Sequence, residues 1–202
     1  MNFNPARLKN RILMFCAAAV WAVPCLIPPG AAAVTDETGR LVPVAAAPER
    51  IVSLAPGITE TLFALGLEGK IVGVTAFCDW PAAARAKTKI GGFTNPSIEK
   101  IVSLGPDLIL ATADGNRKET IRQLEKLGLP VYVINPTNTA GVLKSIQHIG
   151  AITGREREAG LLIEKLQKKL AGVAARTRGR KKPRVFFQLG MEPMITAGRG
   201  TL

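Results

Sequence analysis

Between residues 51 and 134, four short and nearly uninterrupted apolar runs alternate with segments of helical period, and this alternation constrains the fold more than any other feature. The runs are 51–55 (IVSLA), 70–77 (KIVGVTAF), 107–112 (DLILAT) and 130–134 (PVYVI). A strand with one wet face would alternate polar and apolar residues; runs like these fit a sheet covered on both sides. Between them, 58–65 reads as a short helix stopped at Gly66. Ser97 is a candidate N-cap for a helix with Ile98, Ile101, Val102 and Leu104 on its apolar side. Residues 117–127 place Ile121, Leu124 and Leu127 on one side, with Gly128 as the stop. No two of these strands are joined by a hairpin-length turn, which favours right-handed crossovers. The expected fold class is α/β: a parallel sheet covered by helices, a three-layer Rossmann-like lobe, followed by a long linker helix and the start of a second lobe.

That helix is expected at 155–176, after a first helical stretch at 139–152 and a break at Thr153-Gly154. It carries Ala159, Leu162, Leu166, Leu170 and Val173 along one stripe and spans roughly 30 Å, enough to link two bodies. A fifth strand is expected at 184–189 (RVFFQL). A lone strand leaves its backbone groups unpaired, so it joins the first sheet or begins a second body; the long helix carries it away from the first sheet, which favours the second, and an exposed, sticky edge is expected. The chain is thus divided into a signal peptide (1–33), an extended leader with Pro43 and Pro48 (34–49) and an N-terminal α/β lobe (50–137). Helices including the interlobe helix (138–176) follow, then a basic linker with a truncated start of a second lobe (177–202).

The formal charge of +12 suggests nucleic acid until its distribution is considered. Arg7, Lys9 and Arg11 precede an uncharged run at 12–27, and Ala31-Ala32-Ala33 follows Pro28-Pro29-Gly30. A basic start, a short apolar middle and small residues spaced A-x-A form a secretory signal with expected cleavage after Ala33. The run is short for a membrane span and is broken by Pro24, so no stable span is expected after cleavage. A lipid anchor on Cys25 is disfavoured because Val23-Pro24 precede it. Cleavage lowers the excess to +9 and removes Cys16 and Cys25, leaving Cys78 with no partner for a disulfide. Much of the remaining charge lies at 165–184, with nine basic residues and no acid. This reads as a solvated helix end plus linker: it lacks interleaved aromatics, and export makes nucleic acid the wrong partner.

Ligands of open parallel sheets bind at the carboxyl ends of the strands. The expected rim comprises Ala55-Pro56-Gly57, residues 77–81, 112–116 and 135–137, joined by 91–95. No nucleophile–base–orienter set is present, and no metal site or catalytic residue is assigned. His148, the single histidine, falls mid-helix and reads as structural. Asp79 and Asp114 are rim acids without a pairing suited to acid–base work. Phe77, Trp80 and Phe93 instead offer apolar area for a large, flat or greasy ligand. Cys78 reads equally as a weak ligand contact or a buried thiol.

Residues 50–202 resemble the cobalamin, haem and iron-siderophore substrate-binding proteins of ABC importers. The segments carrying the resemblance are RIVSLAPGITETLFALG (50–66), VGVTAFCDWP (72–81), IGGFTNPSIEKIVSLGPDLILAT (90–112), LEKLGLPVYVINP (124–136) and RVFFQLGMEPMITAGRGTL (184–202). The resemblance implies two α/β lobes joined by one long helix, with cobalamin, haem or a ferric siderophore bound between them. The expected ligand contacts are Pro56, Phe77, Cys78, Trp80, Phe93, Asn116, Gly190 and Met191. Family aromatics fall on Phe77 and Phe93, whereas a third falls on Thr112, where the pattern is lost. Glu99 matches an acid that docks on the permease. A periplasmic monomer without enzymatic activity or resident cofactor is the expectation. Relatives continue beyond the point matching Leu202, so half a cleft and weak binding are expected of this chain alone. An exported α/β enzyme using Asp79 or Cys78, or a non-functional fragment, are the alternatives.

Overall fold

The computed structural model describes residues 31–190 and 195–196. Most of the expected signal peptide, residues 1–30, therefore lies outside the described residues. The expected extended leader is folded back on itself as an antiparallel hairpin of β1 (Ala31–Thr35) and β2 (Leu41–Ala45), with Val34 opposite Val42 and Ala33 opposite Pro43. Val42 and Val44 point into the core while Leu41 and Pro43 face out. The expected cleavage point after Ala33 falls inside β1.

The lobe follows the expected alternation. Strands β3 (Ile51–Ser53), β4 (Ile71–Val74), β5 (Leu108–Thr112) and β6 (Val131–Ile134) form one parallel sheet in the order β4-β3-β5-β6. Residues 88–91 extend it beyond β4: Ile90 N–H donates to the Val74 carbonyl at 3.0 Å and Ala76 N–H to Gly91 at 2.8 Å.

Strand periodicity divides the core into two layers. Ile51, Leu108, Leu110, Tyr132 and Ile134 point to one face, where α1 (Pro56–Ala64) contributes Ile58 and Leu62. On the other face, Val52, Ile109, Ala111, Val131 and Val133 meet Ile101 of α2 (Ile98–Ser103) and Ile121 and Leu124 of α3 (Lys118–Lys126). Ser97 is the N-cap of α2, its hydroxyl accepting from Lys100 N–H at 3.2 Å. The first face is completed by Ile146 and Ile149 of α4 (Thr139–Thr153). The following helix, α5 (Glu156–Thr177), runs for 22 residues, about 33 Å. It packs closely on α4 because Gly150 has no side chain; a Cβ there would lie 2.5 Å from the Ala159 Cβ. Ala159 is the one fully buried residue of α5.

The hairpin turn seals the β6 edge of the sheet. Glu37 N–H donates to the Val133 carbonyl at 3.1 Å, and Asn135 N–H donates to Glu37 Oε2 at 2.7 Å. Asp36 accepts from Val133 N–H at 3.3 Å and from the Thr38 and Arg40 backbones at 2.9 Å. Arg40 pairs with both Asp36 and Glu125 of α3. Burial would push the Asp36 carboxyl up, but the Arg40 and Thr38 hydrogen bonds outweigh it and hold it below its ordinary range. Burial, with Glu37 and Asp36 nearby, pushes the Tyr132 phenol up to about 12. His148 has the structural place expected of it, its Nδ1 lying 3.1 Å from Glu37 Oε1.

The fifth strand differs from expectation. Val185, Phe186 and Phe187 lie outside any strand and are exposed, while β7 (Gln188–Gly190) pairs antiparallel with β8 (Ile195–Thr196) as a separate two-stranded sheet. Among the described residues, no helix is long and apolar enough to cross a membrane.

Candidate functional site

From β3 the chain winds outward to β4, then crosses back to place β5 on the other side of β3. The loops leaving β3 and β5 therefore diverge, opening a crevice at their carboxyl ends. A cavity of about 280 Å³ occupies this crevice. Pro56, Gly57 and Thr61 of α1 form one side, Phe93, Thr112 and Asp114 another, and Val142 and Ile146 of α4 close it.

Phe93 is brought there by the 88–91 segment, which runs parallel to β4 and so delivers the next residues to the same rim. Its ring lies directly over Gly115, where an added Cβ would fall 1.8 Å from Cζ. Asn116 ties the rim loops together. Its amide donates to the Leu54 carbonyl at 3.0 Å and to the Phe93 carbonyl at 2.9 Å, while Oδ1 accepts from Thr112 N–H at 2.8 Å. With its polar atoms committed and its side chain buried, Asn116 is a positioning residue. The structure places this expected ligand contact in the scaffold of the rim.

Cys78 takes the buried of its two readings. It is buried, with Sγ 3.2 Å from Thr59 Oγ1 and 3.1 Å from Thr75 Oγ1, and it packs in the core beneath the rim. Only Cys78 turns inward in this loop, while Phe77 at 63% exposure and Trp80 at 66% turn outward. Phe77 stands on the rim without lining the cavity. Trp80, ahead of a cis Trp80–Pro81 bond, borders a second groove with Phe63 of α1 and Leu162 and Leu166 of α5. The two hollows share Gly57, Thr61 and Ile146, so Trp80 stands across the first turn of α1 from Phe93.

Of the other expected contacts, Pro56 lines the cavity. Gly190 ends β7 in the separate small sheet, and Met191 lies outside the described residues. Glu99 is exposed in the first turn of α2. Its own backbone N–H and the Ser97 hydroxyl, at 2.9 Å, hold its carboxyl below the usual range. Sequence reasoning missed the α4 wall. Val142, Ile146 and Ile149 have the spacing of an ordinary core stripe, and only the tertiary position of α4 turns one end of that stripe toward the rim.

A family model described as periplasmic binding protein matches residues 51–202. The vitamin B12-binding protein of Yersinia pestis (strain Pestoides F) is 31% identical over 174 residues, 86% of this chain and 62% of that protein. The crystal structure of the periplasmic vitamin B12-binding protein BtuF of Vibrio cholerae superposes with a TM-score of 0.70 at 28% identity, covering 76% of this chain and 60% of that one. The periplasmic heme-binding protein RhuT from Roseiflexus sp. RS-1, in apo form, gives a TM-score of 0.69 at 28% identity with the same coverage. The chain thus spans 62% of the length of the Yersinia protein. The parallel sheet with its switch-point cavity, the long helix and a family match running through both identify this chain as a member of the periplasmic binding protein family.

Proposed function

We propose that this chain carries the ligand-binding lobe of a periplasmic solute-binding protein that serves an ABC importer. The ligand is a flat, largely apolar metal chelate: cobalamin or a related corrinoid first, haem or a ferric siderophore otherwise. In this reading the ligand lies against the rim, with Phe93 and Pro56 beneath it and Phe77 beside it. Glu99 meets the permease, and residues 1–33 direct export to the periplasm. The supporting observation is a largely apolar cavity at the switch point with an aromatic ring seated over Gly115 in its wall. Binding needs no chemistry here, and the buried Cys78 gives the alternative of an exported thiol enzyme no accessible nucleophile.

The test is calorimetric titration of the purified chain with cobalamin, haem and a ferric siderophore. The chain is expected to bind the preferred ligand saturably at the rim cavity. Phe93→Ala is expected to weaken that binding roughly tenfold through lost apolar contact. No saturable binding of any of the three would contradict the proposed site, and unchanged affinity in the variant would place the ligand elsewhere.

A further inference from the structure

The switch-point cavity has an uneven polar lining. Among the described residues around it, Asp114 is the only charged one. It projects from the β5 loop, and its Oδ1 accepts the Thr112 hydroxyl proton. The remaining hydroxyls are occupied as donors. Thr61 Oγ1 donates to the Gly57 carbonyl at 2.8 Å, and Ser145 Oγ donates to Glu37 Oε2 at 2.9 Å. On these side chains the cavity therefore offers hydrogen-bond acceptors and no free donor proton.

The donors come from the backbone at the start of α1. Ala55 at the N-cap supplies no side-chain acceptor, and Pro56 carries no N–H. The N–H groups of Gly57 and Ile58 are thus the uncapped first-turn donors, and both residues line the cavity. One wall donates and the other accepts through a carboxylate. A carboxamide satisfies both, with its carbonyl toward α1 and its N–H toward Asp114. A carboxylate satisfies only the first and is repelled by the second. No cation among the described lining residues offsets this: Lys118, Arg122 and Arg40 line a different cavity.

We propose that Asp114 is a specificity-determining residue that selects ligands bearing peripheral carboxamides over otherwise similar ligands bearing carboxylates. This rests on the proposed binding of a flat chelate at the switch point. It orders the candidates within that class: an amide-rimmed corrinoid is accepted, and a carboxylate-bearing tetrapyrrole such as haem is disfavoured.

The experiment compares cyanocobalamin, its monocarboxylate derivative made by mild acid hydrolysis, and haemin, each titrated into the full chain and into Asp114→Asn and Phe93→Ala. The amide form is expected to bind about tenfold more tightly than the monocarboxylate at low ionic strength. Added salt should narrow that ratio, since Asp114 is solvent-exposed. Asp114→Asn should abolish the ratio without moving the melting temperature, because the asparagine oxygen still accepts from Thr112. Phe93→Ala should weaken both forms equally. Equal affinity for amide and acid, preference for the acid or for haemin, or a ratio unchanged in Asp114→Asn would overturn the role of Asp114 while leaving the binding site in place. Failure of the unmodified chain to bind either corrinoid or haemin would overturn the site itself, and the selection with it.

Discussion

Asn116 shows what one side chain can hold together. A buried amide spends both donors on carbonyls of two remote segments and its oxygen on the backbone N–H at the end of the preceding strand, β5. Asn116→Ala strands those three backbone groups, and a loss of roughly 3 kcal/mol in urea unfolding is expected. Asn116→Asp should not rescue, because a carboxylate has no proton to donate to Leu54 or Phe93. The Asp114-Gly115-Asn116 turn is legible in the sequence as a rim loop, and Asn116 is legible as important there. The direction of its amide is not, because the partner carbonyls of Leu54 and Phe93 are remote in the chain. The same limit explains Cys78. Its place on a rim loop can be read, but the inward turn of this one residue among exposed neighbours depends on its packing with Thr59 and Thr75.

Tyr132, the only tyrosine in the chain, gives a second residue-scale prediction. Its phenol is raised from 10.0 to about 12, so the folded state holds the proton more tightly than the unfolded state. The stability from this group is fully present below pH 10 and is lost as pH rises toward about 12. Tyrosinate absorbance therefore should rise late and together with unfolding, and Tyr132→Phe should remove that part of the alkaline sensitivity. A simple titration near pH 10 with the fold intact would contradict the burial of this phenol.

Among the elements, the β1–β2 hairpin is the piece the sequence concealed. Pro43 inside β2 argues against a strand, but Pro43 faces outward on a two-stranded ribbon, where its missing N–H is tolerated. The turn then binds the β6 edge through Asp36 and Glu37, covering backbone groups that an open edge would leave exposed. Asp36→Ala is expected to destabilise the lobe by roughly 2–3 kcal/mol, because it removes a buried carboxylate serving several donors. The carboxyl is held low in the folded state, so its contribution is present at neutral pH and lost as pH falls through that lowered value. Chemical denaturation of Asp36→Ala should show a smaller stability loss between neutral and acid pH than the parent; an equal loss would mean that the clamp contributes little. Cleavage after Ala33 would leave Val34 and Thr35 still opposite Val42 and Leu41, so the inner end of the ribbon outlasts export.

For the whole molecule, the parallel fold follows from four apolar runs with no hairpin between them, and the two core layers follow from their period of two. The sheet order does not follow, because nothing in the strands themselves says which neighbour β3 takes. Yet that order creates the switch point, and with it the cavity. The aromatics are legible as a group, but only the 88–91 segment running beside β4 sets Phe93 apart from Phe77 and Trp80. The direct test of this account is hydrogen exchange on the full chain with and without cobalamin. It predicts new protection in the first turn of α1, at 92–95 and at 113–116, with the α3 face unchanged. Protection confined to α5 and β7, or none in those rim segments while cobalamin is bound, would contradict it.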